Sequence, residues 1–152
     1  MLNKALDIAY KAHWGQTDKA GTPYKLHPTR VALHCQTEDE KIVALLHDVV
    51  EDTSMTLEEL KAQGFSNEVL AALKCLTQIE DEDYQTFIQR VATNPLAVKV
   101  KIQDLKDNMD LSRLDGKPHW KMETYKKALD YLEQCSNKKV LYVDMDNVLV
   151  NF

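Results

Sequence analysis

The stretch ALLHDVVEDT, residues 44–53, places four ionisable side chains inside a run that otherwise has the apolar spacing of a buried helix. Residues four positions apart stack along an α-helix. His47 therefore shares a face with Glu51, and Asp48 shares the next face with Asp52. The apolar neighbours draw at least some of these groups below the surface, where an unpaired carboxylate costs several kcal/mol. The stretch therefore requires a counter-charge.

A metal ion is the better candidate for that counter-charge, because the segment from Lys41 to Met55 contains no Lys or Arg beyond Lys41. Histidine nitrogen with aspartate oxygen suits a divalent transition metal such as Mn, Fe or Zn more than calcium. Adjacent helical residues point about 100° apart. His47 and Asp48 can therefore share an ion only if it lies between their two faces, with further ligands from other segments. The alternative is a solvated helix end with a surface histidine and acids, because such charge clusters are common.

The totals for the chain indicate one ordinary domain of 152 residues. The 19 basic and 24 acidic side chains leave a net charge of −5, which argues against nucleic acid and anionic membranes as partners. No apolar run reaches the roughly 18 residues of a membrane span, and the amino-terminal segment is amphipathic rather than signal-like. The 3 cysteines are far apart and fit reduced cytosolic thiols. We expect a cytoplasmic protein.

Apolar residues recur at three- and four-residue spacings over most of the chain, and the breaks carry capping residues such as Thr56 with Glu59, Ser66, Asp83 and Asn94. This pattern predicts an all-α fold, a compact multi-helix bundle. The predicted helices cover about residues 2–13, 28–35, 39–50, 57–63, 67–78, 83–94, 95–111 and 119–135.

HDVVED resembles the HDxxED signature of the HD-superfamily metal-dependent phosphohydrolases. The surrounding segments resemble the hydrolase domain of the Rel/SpoT proteins and the small alarmone hydrolases of the metazoan SpoT homologue type. They occur in the family's order over about residues 5–125: AHWGQ, GTPYKLHP, ALLHDVVEDT, TLEEL, LT and VKIQDLKDNMDL. The resemblance implies an HD-domain bundle that hydrolyses guanosine 3′,5′-bis(diphosphate), (p)ppGpp, to GDP or GTP and pyrophosphate.

In that family one divalent metal ion, usually Mn(II), is held by the histidine of an HP motif, the HD pair and a later aspartate. The resemblance implies four metal ligands: His27, His47, Asp48 and Asp104. Glu51 and Asp52 match the catalytic acids that orient and deprotonate the attacking water. Taken alone, His27 would be interpreted as a loop histidine before a proline, and Asp104 as part of a solvated helix face.

The resemblance also implies a set of substrate contacts: Lys19, Tyr24, Arg30, Asn108 and Tyr125. Two departures from the family leave the choice of nucleotide open. Asp18 stands beside Lys19 where many relatives have a basic pair, and QDLKDN replaces the commoner ADKLYN or ADRLHN. One alternative is an HD-type phosphohydrolase acting on another nucleotide, a deoxynucleoside monophosphate or NADPH. The other is a non-catalytic nucleotide-sensing module, against which the intact pair Glu51 and Asp52 speaks.

The tail KKVLYVDMDNVLVNF, residues 138–152, breaks the helical pattern and predicts a short C-terminal β-strand. It resembles the opening strand and DxDxV motif of HAD-superfamily phosphatases, in which Asp144 would be the nucleophile and Asp146 the acid. That fold needs a whole α/β domain, so we interpret the tail as a truncated fusion or a remnant. We expect an HD domain over residues 1–137 and a tail over 138–152. The tail's strand edge could join two copies into a homodimer.

Overall fold

The structure, a computed structural model, describes residues 1–12, 26–110 and 121–144. In this part of the chain the all-α prediction is confirmed, with helices and no strand. The helices are α1 (Leu2–Ala12), α2 (Leu26–Leu33), α3 (Glu38–Asp52), α4 (Leu57–Ala62), α5 (Asn67–Leu76), α6 (Tyr84–Val91), α7 (Pro95–Asn108) and α8 (Met122–Asp144).

Four of the helices begin at the capping residues that the sequence predicts. Thr56 and Glu59 form a reciprocal capping box at α4, in which each side chain accepts a hydrogen bond of 3.1 Å from the other's backbone N–H. Ser66, Asp83 and Asn94 each accept a hydrogen bond from a backbone N–H in the first turn of α5, α6 and α7. These side chains satisfy N–H groups that have no partner within the helix, which fixes where each helix begins.

Helix α3 lies at the centre of the fold and packs against α1, α2, α5 and α7. Residues 42–46 and Val49 are all buried, because partner helices cover the greater part of the α3 surface. Helix α7 packs beside α3 and also contacts α2, α5, α6 and α8. This arrangement brings side chains of α2, α3 and α7 to one place in the interior.

Among the differences from the predicted helix bounds, those of α2 and α3 bear on the candidate site. Helix α2 begins at Leu26, so His27 lies in the first helical turn and not in a loop before it. Helix α3 starts after Thr37, whose side chain accepts from the N–H of Glu40 at 3.1 Å, and it continues to Asp52. The segment before α2, residues 13–25, lies outside the described part of the chain.

Residues 138–144, predicted as the beginning of a strand, continue α8 as a helix to Asp144. A helix satisfies its backbone groups within the segment, whereas a lone strand leaves both edges unpaired. The strand prediction is therefore wrong over these residues, while residues 145–152 lie outside the description. The homodimer, which depended on a strand edge, stays a prediction. No described helix, including the 23-residue α8, is long and apolar enough to cross a membrane.

Truncation of Leu73 tests the contribution of the core. This side chain of α5 is fully buried, and Leu73→Ala should lower the free energy of unfolding by about 2–5 kcal/mol through lost contacts and a cavity. Urea unfolding followed by circular dichroism measures the change. Leu33→Ala is the matched control, because Leu33 is 74% exposed and should change stability by no more than about 0.5 kcal/mol. Equal losses in the two variants would contradict this core.

Candidate metal centre

Three helices bring the predicted metal ligands together. His27 comes from the first turn of α2, His47 and Asp48 from α3, and Asp104 from α7. One potential ligand atom from each of the four lies within 4.8 Å of the others. His27, His47 and Asp104 are buried, and Asp48 is half-buried. The structure therefore places residues that are up to 77 positions apart in sequence around one point.

Both imidazole rings are oriented by a hydrogen bond on the side away from this point. Nδ1 of His47 donates to the carbonyl oxygen of Ala44 at 2.7 Å, and Nδ1 of His27 donates to Asp107 Oδ2 at 2.6 Å. Because both partners are hydrogen-bond acceptors, we assign a proton to Nδ1 of each ring. The two Nε2 atoms then face Asp104 Oδ1, at 3.2 Å from His47 and 2.8 Å from His27. Metal-binding histidines are commonly oriented in this way, through their second nitrogen.

The carboxylates around the two rings attract positive charge. Burial lowers the pKa of His27, but hydrogen bonds to Asp104 and Asp107 outweigh burial and raise it to about 10. Burial also lowers the pKa of His47, and the charges of Asp48 and Asp104 raise it to about 9. The carboxylates therefore favour positive charge at the two rings.

A row of charged side chains on α7 supports the centre. Lys101, Asp104 and Asp107 follow one another at three-residue spacing, which places them near one face of the helix. Lys101 Nζ donates to Asp104 Oδ2 at 2.9 Å, and Arg30 donates to both oxygens of Asp107, at 2.9 and 3.2 Å. Burial raises the pKa of Asp104, but Lys101 and His47 outweigh it and hold the pKa well below its usual value.

Lys101 was not predicted as a site residue, and Asp107 was predicted only to depart from the family motif. Their three-residue spacing from Asp104 was the available signal. The preference for a metal ion as counter-charge left out basic side chains from other segments, since Lys101 pairs with Asp104 and Arg30 pairs with Asp107 at the same centre.

The four converging side chains fit a divalent ion by their chemistry. They offer two imidazole nitrogens and two carboxylates, a mixture that suits a divalent transition metal. The Nδ1 partners leave both Nε2 atoms directed at the centre. Asp104 presents Oδ1 to the same point, while its Oδ2 is held by Lys101.

The two predicted catalytic acids lie in the last turn of α3, one turn beyond His47 and Asp48. Both are exposed to solvent. Glu51 Oε2 accepts a hydrogen bond of 2.9 Å from the backbone N–H of Gln78. Desolvation raises the pKa of Asp52 to about 6, and the negative charges of Asp48 and Glu51 act in the same direction. The acids therefore border the centre without being buried in it.

A hydrogen-bond network around Arg90 holds the turn that contacts Glu51. The guanidinium of Arg90 donates to Glu82 at 2.8 and 3.1 Å, and to the backbone carbonyls of Lys74, Cys75 and Thr77. This network fixes the chain on either side of Gln78, whose N–H bonds to Glu51. This network was not predicted from the sequence, because three of its five hydrogen bonds end on backbone carbonyls, which no side-chain pattern indicates.

The predicted substrate contacts are only partly within the described chain. Arg30 lies on α2 with its side chain 25% exposed and bound to Asp107. Asn108 ends α7, and Tyr125 lies on α8 with its ring 6.5 Å from that of Tyr84. The other two predicted contacts, Lys19 and Tyr24, lie outside the described residues. The roles of all five remain predictions.

The Asp107 carboxylate provides a test of this centre. Asp107→Asn keeps the size of the side chain but removes the charge that orients His27. We expect affinity for Mn(II) or Zn(II) to fall by about 10–100-fold with little change in fold, measured by isothermal titration calorimetry and circular dichroism. Asp130→Asn is the matched control, since Asp130 is exposed on α8. Equal affinity of the two variants would show that Asp107 does not support the centre.

The sequence is similar to proteins named as guanosine-3′,5′-bis(diphosphate) 3′-pyrophosphohydrolases. It is 32% identical to one from Aquifex aeolicus over 120 residues, which cover 71% of this chain and 17% of that protein. It is 40% identical to one from Borreliella burgdorferi over 82 residues, 51% of this chain and 12% of that protein. The chain thus spans less than a fifth of the length of these relatives. No protein-family model matches it.

The fold is similar to that of a metazoan ortholog of SpoT, a protein described as hydrolysing ppGpp. The two structures superpose with a TM-score of 0.69 over 90% of this chain and 92% of the other, at 24% sequence identity. The helical architecture described above is therefore that of the SpoT ortholog. These relatives confirm the predicted resemblance to the HD-type hydrolase domain of the Rel/SpoT proteins over most of the chain, and the structural similarity confirms the fold.

Proposed function

We propose that this chain hydrolyses guanosine 3′,5′-bis(diphosphate), (p)ppGpp, at its 3′ ester and releases pyrophosphate. The observation that carries the proposal is the convergence of His27, His47, Asp48 and Asp104 one helical turn from two solvent-facing acids. The names of the relatives, which are pyrophosphohydrolases of this substrate, support the choice of reaction. The resemblance of the surrounding motifs supports it as well.

The four converging side chains would hold one divalent ion, Mn(II) by the family resemblance. When bound, such an ion lowers the pKa of a coordinated water and polarises a phosphoryl oxygen. The protein's own contribution is orientation. Asp107 and Ala44 fix the two imidazoles, and Lys101 holds Oδ2 of Asp104 so that Oδ1 stays directed inward.

Glu51 and Asp52 would orient the attacking water and accept its proton. The water oxygen attacks the phosphorus bonded to the 3′ oxygen, and the bond between that phosphorus and the 3′ oxygen breaks. The 3′ oxygen takes up a proton, which leaves GDP or GTP, and the water oxygen departs in pyrophosphate. The Gln78 N–H holds one oxygen of Glu51 at 2.9 Å, which restricts the directions in which this acid can face.

The remaining predictions form part of the same proposal. The partner is a small nucleotide, and its contacts are Lys19, Tyr24, Arg30, Asn108 and Tyr125. The hydrolytic unit covers residues 1–137 and acts in the cytoplasm. The proposed assembly is a homodimer.

One experiment distinguishes this activity from the alternatives. Purified protein with Mn(II) is incubated with a panel of ppGpp, NADPH and deoxynucleoside monophosphates, and with Asp104→Ala as the inactive control. Pyrophosphate released from ppGpp alone is the expected result. Phosphate released from another compound would replace the proposal with a different HD-type phosphohydrolase. Absence of turnover from every compound would favour a nucleotide-sensing module.

Two substitutions on α3 should separate metal binding from turnover. His47→Ala removes a buried ligand and should abolish both metal binding and activity. Glu51→Gln should keep the metal and lower kcat by about 10²–10⁴-fold, because it removes a proton acceptor but no ligand. Metal content by mass spectrometry and ppGpp turnover are the two measurements.

The matched control for these variants is Glu38→Gln, at the opposite end of α3 and exposed. It should retain both properties. Loss of metal in Glu51→Gln, or full activity in that variant, would contradict the assigned roles.

A further inference from the structure

The α5–α6 turn, residues 77–82, is held at both of its ends by one side chain, Arg90 of α6. Nη2 of Arg90 donates to the carbonyl oxygen of Thr77 and to Glu82 Oε1, both at 2.8 Å, and Nε donates to Glu82 Oε2 at 3.1 Å. Nη1 donates to two carbonyl oxygens in the last turn of α5. A planar guanidinium can make these bonds together, whereas an ammonium lacks the fork of donors that they require.

Bonds between its own residues close the α5–α6 turn further. Glu82 Oε1 also accepts from the backbone N–H of Ile79 at 3.1 Å, and the Glu82 N–H donates to the Ile79 carbonyl oxygen at 3.0 Å. The side-chain amide of Gln78 donates to the carbonyl oxygen of Glu82 at 3.0 Å. Asp81 has a φ of 67°, which is uncommon outside glycine. Such a conformation persists where the surrounding contacts determine the backbone, as they do in this turn.

The α5–α6 turn contacts the candidate site through a single backbone group, the N–H of Gln78. It donates to Glu51 Oε2 at 2.9 Å, across 27 positions of sequence. The second oxygen of Glu51, Oε1, accepts no hydrogen bond from the described part of the chain, and the carboxylate of Asp52 accepts none there either. One of the two acids is therefore held by one oxygen and presents the other to solvent, while its neighbour is not held.

We propose that Arg90 is a positioning residue for hydrolysis, which acts through the α5–α6 turn and the Gln78 N–H to direct Glu51 Oε1 at the attacking water. This inference rests on the proposed function, in which Glu51 orients that water. In the described part of the chain Arg90 makes no hydrogen bond or ion pair with either acid or with the predicted metal ligands. Its effect is therefore on the direction of Glu51 and not on the binding of metal or nucleotide.

Two substitutions at Gln78 test the backbone donor. Gln78→Pro removes the N–H, and Thr77 before it already has φ −95° and ψ 115°, an extended conformation that a following proline favours. Gln78→Ala is the matched control, because it keeps the N–H and removes only the side-chain amide. We expect kcat for ppGpp to be about 10–100-fold lower in Gln78→Pro than in Gln78→Ala, with KM and Mn(II) affinity unchanged. Equal kcat values in the two variants would overturn the inference.

Arg90→Lys tests the remote part of the inference, because it keeps the charge and loses the fork. We expect kcat to fall by about 10-fold in the wild-type background and to stay unchanged in a Glu51→Ala background, where the acid to be oriented is absent. A general loss of structure would lower kcat by the same factor in both backgrounds, and that result would remove the positioning role. Circular dichroism at the assay temperature verifies folding. If Arg90→Lys does not fold, Glu82→Gln replaces it, since it keeps the side chain's size and weakens its bonds to Arg90.

The hold on Glu51 can also be measured without turnover. The amide chemical shift of Gln78, recorded by ¹H–¹⁵N NMR, should differ between the wild type and Glu51→Ala, because the hydrogen bond is lost. In the Arg90→Lys background the same comparison should show a much smaller difference. A difference of equal size in both backgrounds would show that Arg90 does not hold this contact.

The outcomes separate this inference from the proposed function. If ppGpp is hydrolysed and Gln78→Pro matches Gln78→Ala, the positioning role falls while the proposed function stands. If the wild type hydrolyses another compound of the panel instead, and Gln78→Pro lowers kcat for that compound, the positioning role stands and the choice of substrate falls. Absence of turnover from every compound would remove both.

Discussion

The carboxylate of Asp104 is the group on which the rest of the site depends. It is buried among apolar helices, where a carboxylate without partners would be strongly unfavourable. The two oxygens of this carboxylate contact different side chains. Oδ1 faces Nε2 of both imidazoles, and Oδ2 accepts from Lys101. An arrangement that moved α2 and α3 away from α7 would leave Oδ1 without its imidazole partners, since Lys101 on α7 itself holds only Oδ2, so this one residue constrains how the three helices pack.

A second layer of contacts gives the centre its precision. Asp107 on α7 accepts two hydrogen bonds from Arg30 and one from His27, and both of these residues lie on α2. These contacts join α2 to α7 beside the metal centre. Arg90 performs a similar task at the C-terminal end of α3, where it fixes the turn that carries Gln78 and thereby restrains Glu51. Side chains outside the predicted ligand set therefore decide where the predicted functional groups point.

Much of the fold and part of the site could be predicted from the sequence. The caps at Thr56, Ser66, Asp83 and Asn94 each act within a few residues of the chain, so a local pattern is sufficient to identify them. The four ionisable groups in residues 44–53 were conspicuous because they interrupt an apolar helix. The beginning of α2 was predicted two residues late. A proline is tolerated anywhere in the first turn of a helix, so Pro28 did not fix the first residue. Residues 138–144 were misassigned because their Val, Leu and Tyr content is compatible with either helix or strand.

The sequence by itself determined the helices, their caps and the presence of charged groups inside the central helix, since each of these follows from spacings of three or four residues. Only the tertiary structure decided which groups meet. His27 lies 77 positions from Asp104, and His47 lies 57 positions from it. No local spacing relates residues so far apart. Their contact arises because α3 buries the greater part of its surface against its neighbours, which brings α2 and α7 together beside His47 and Asp48.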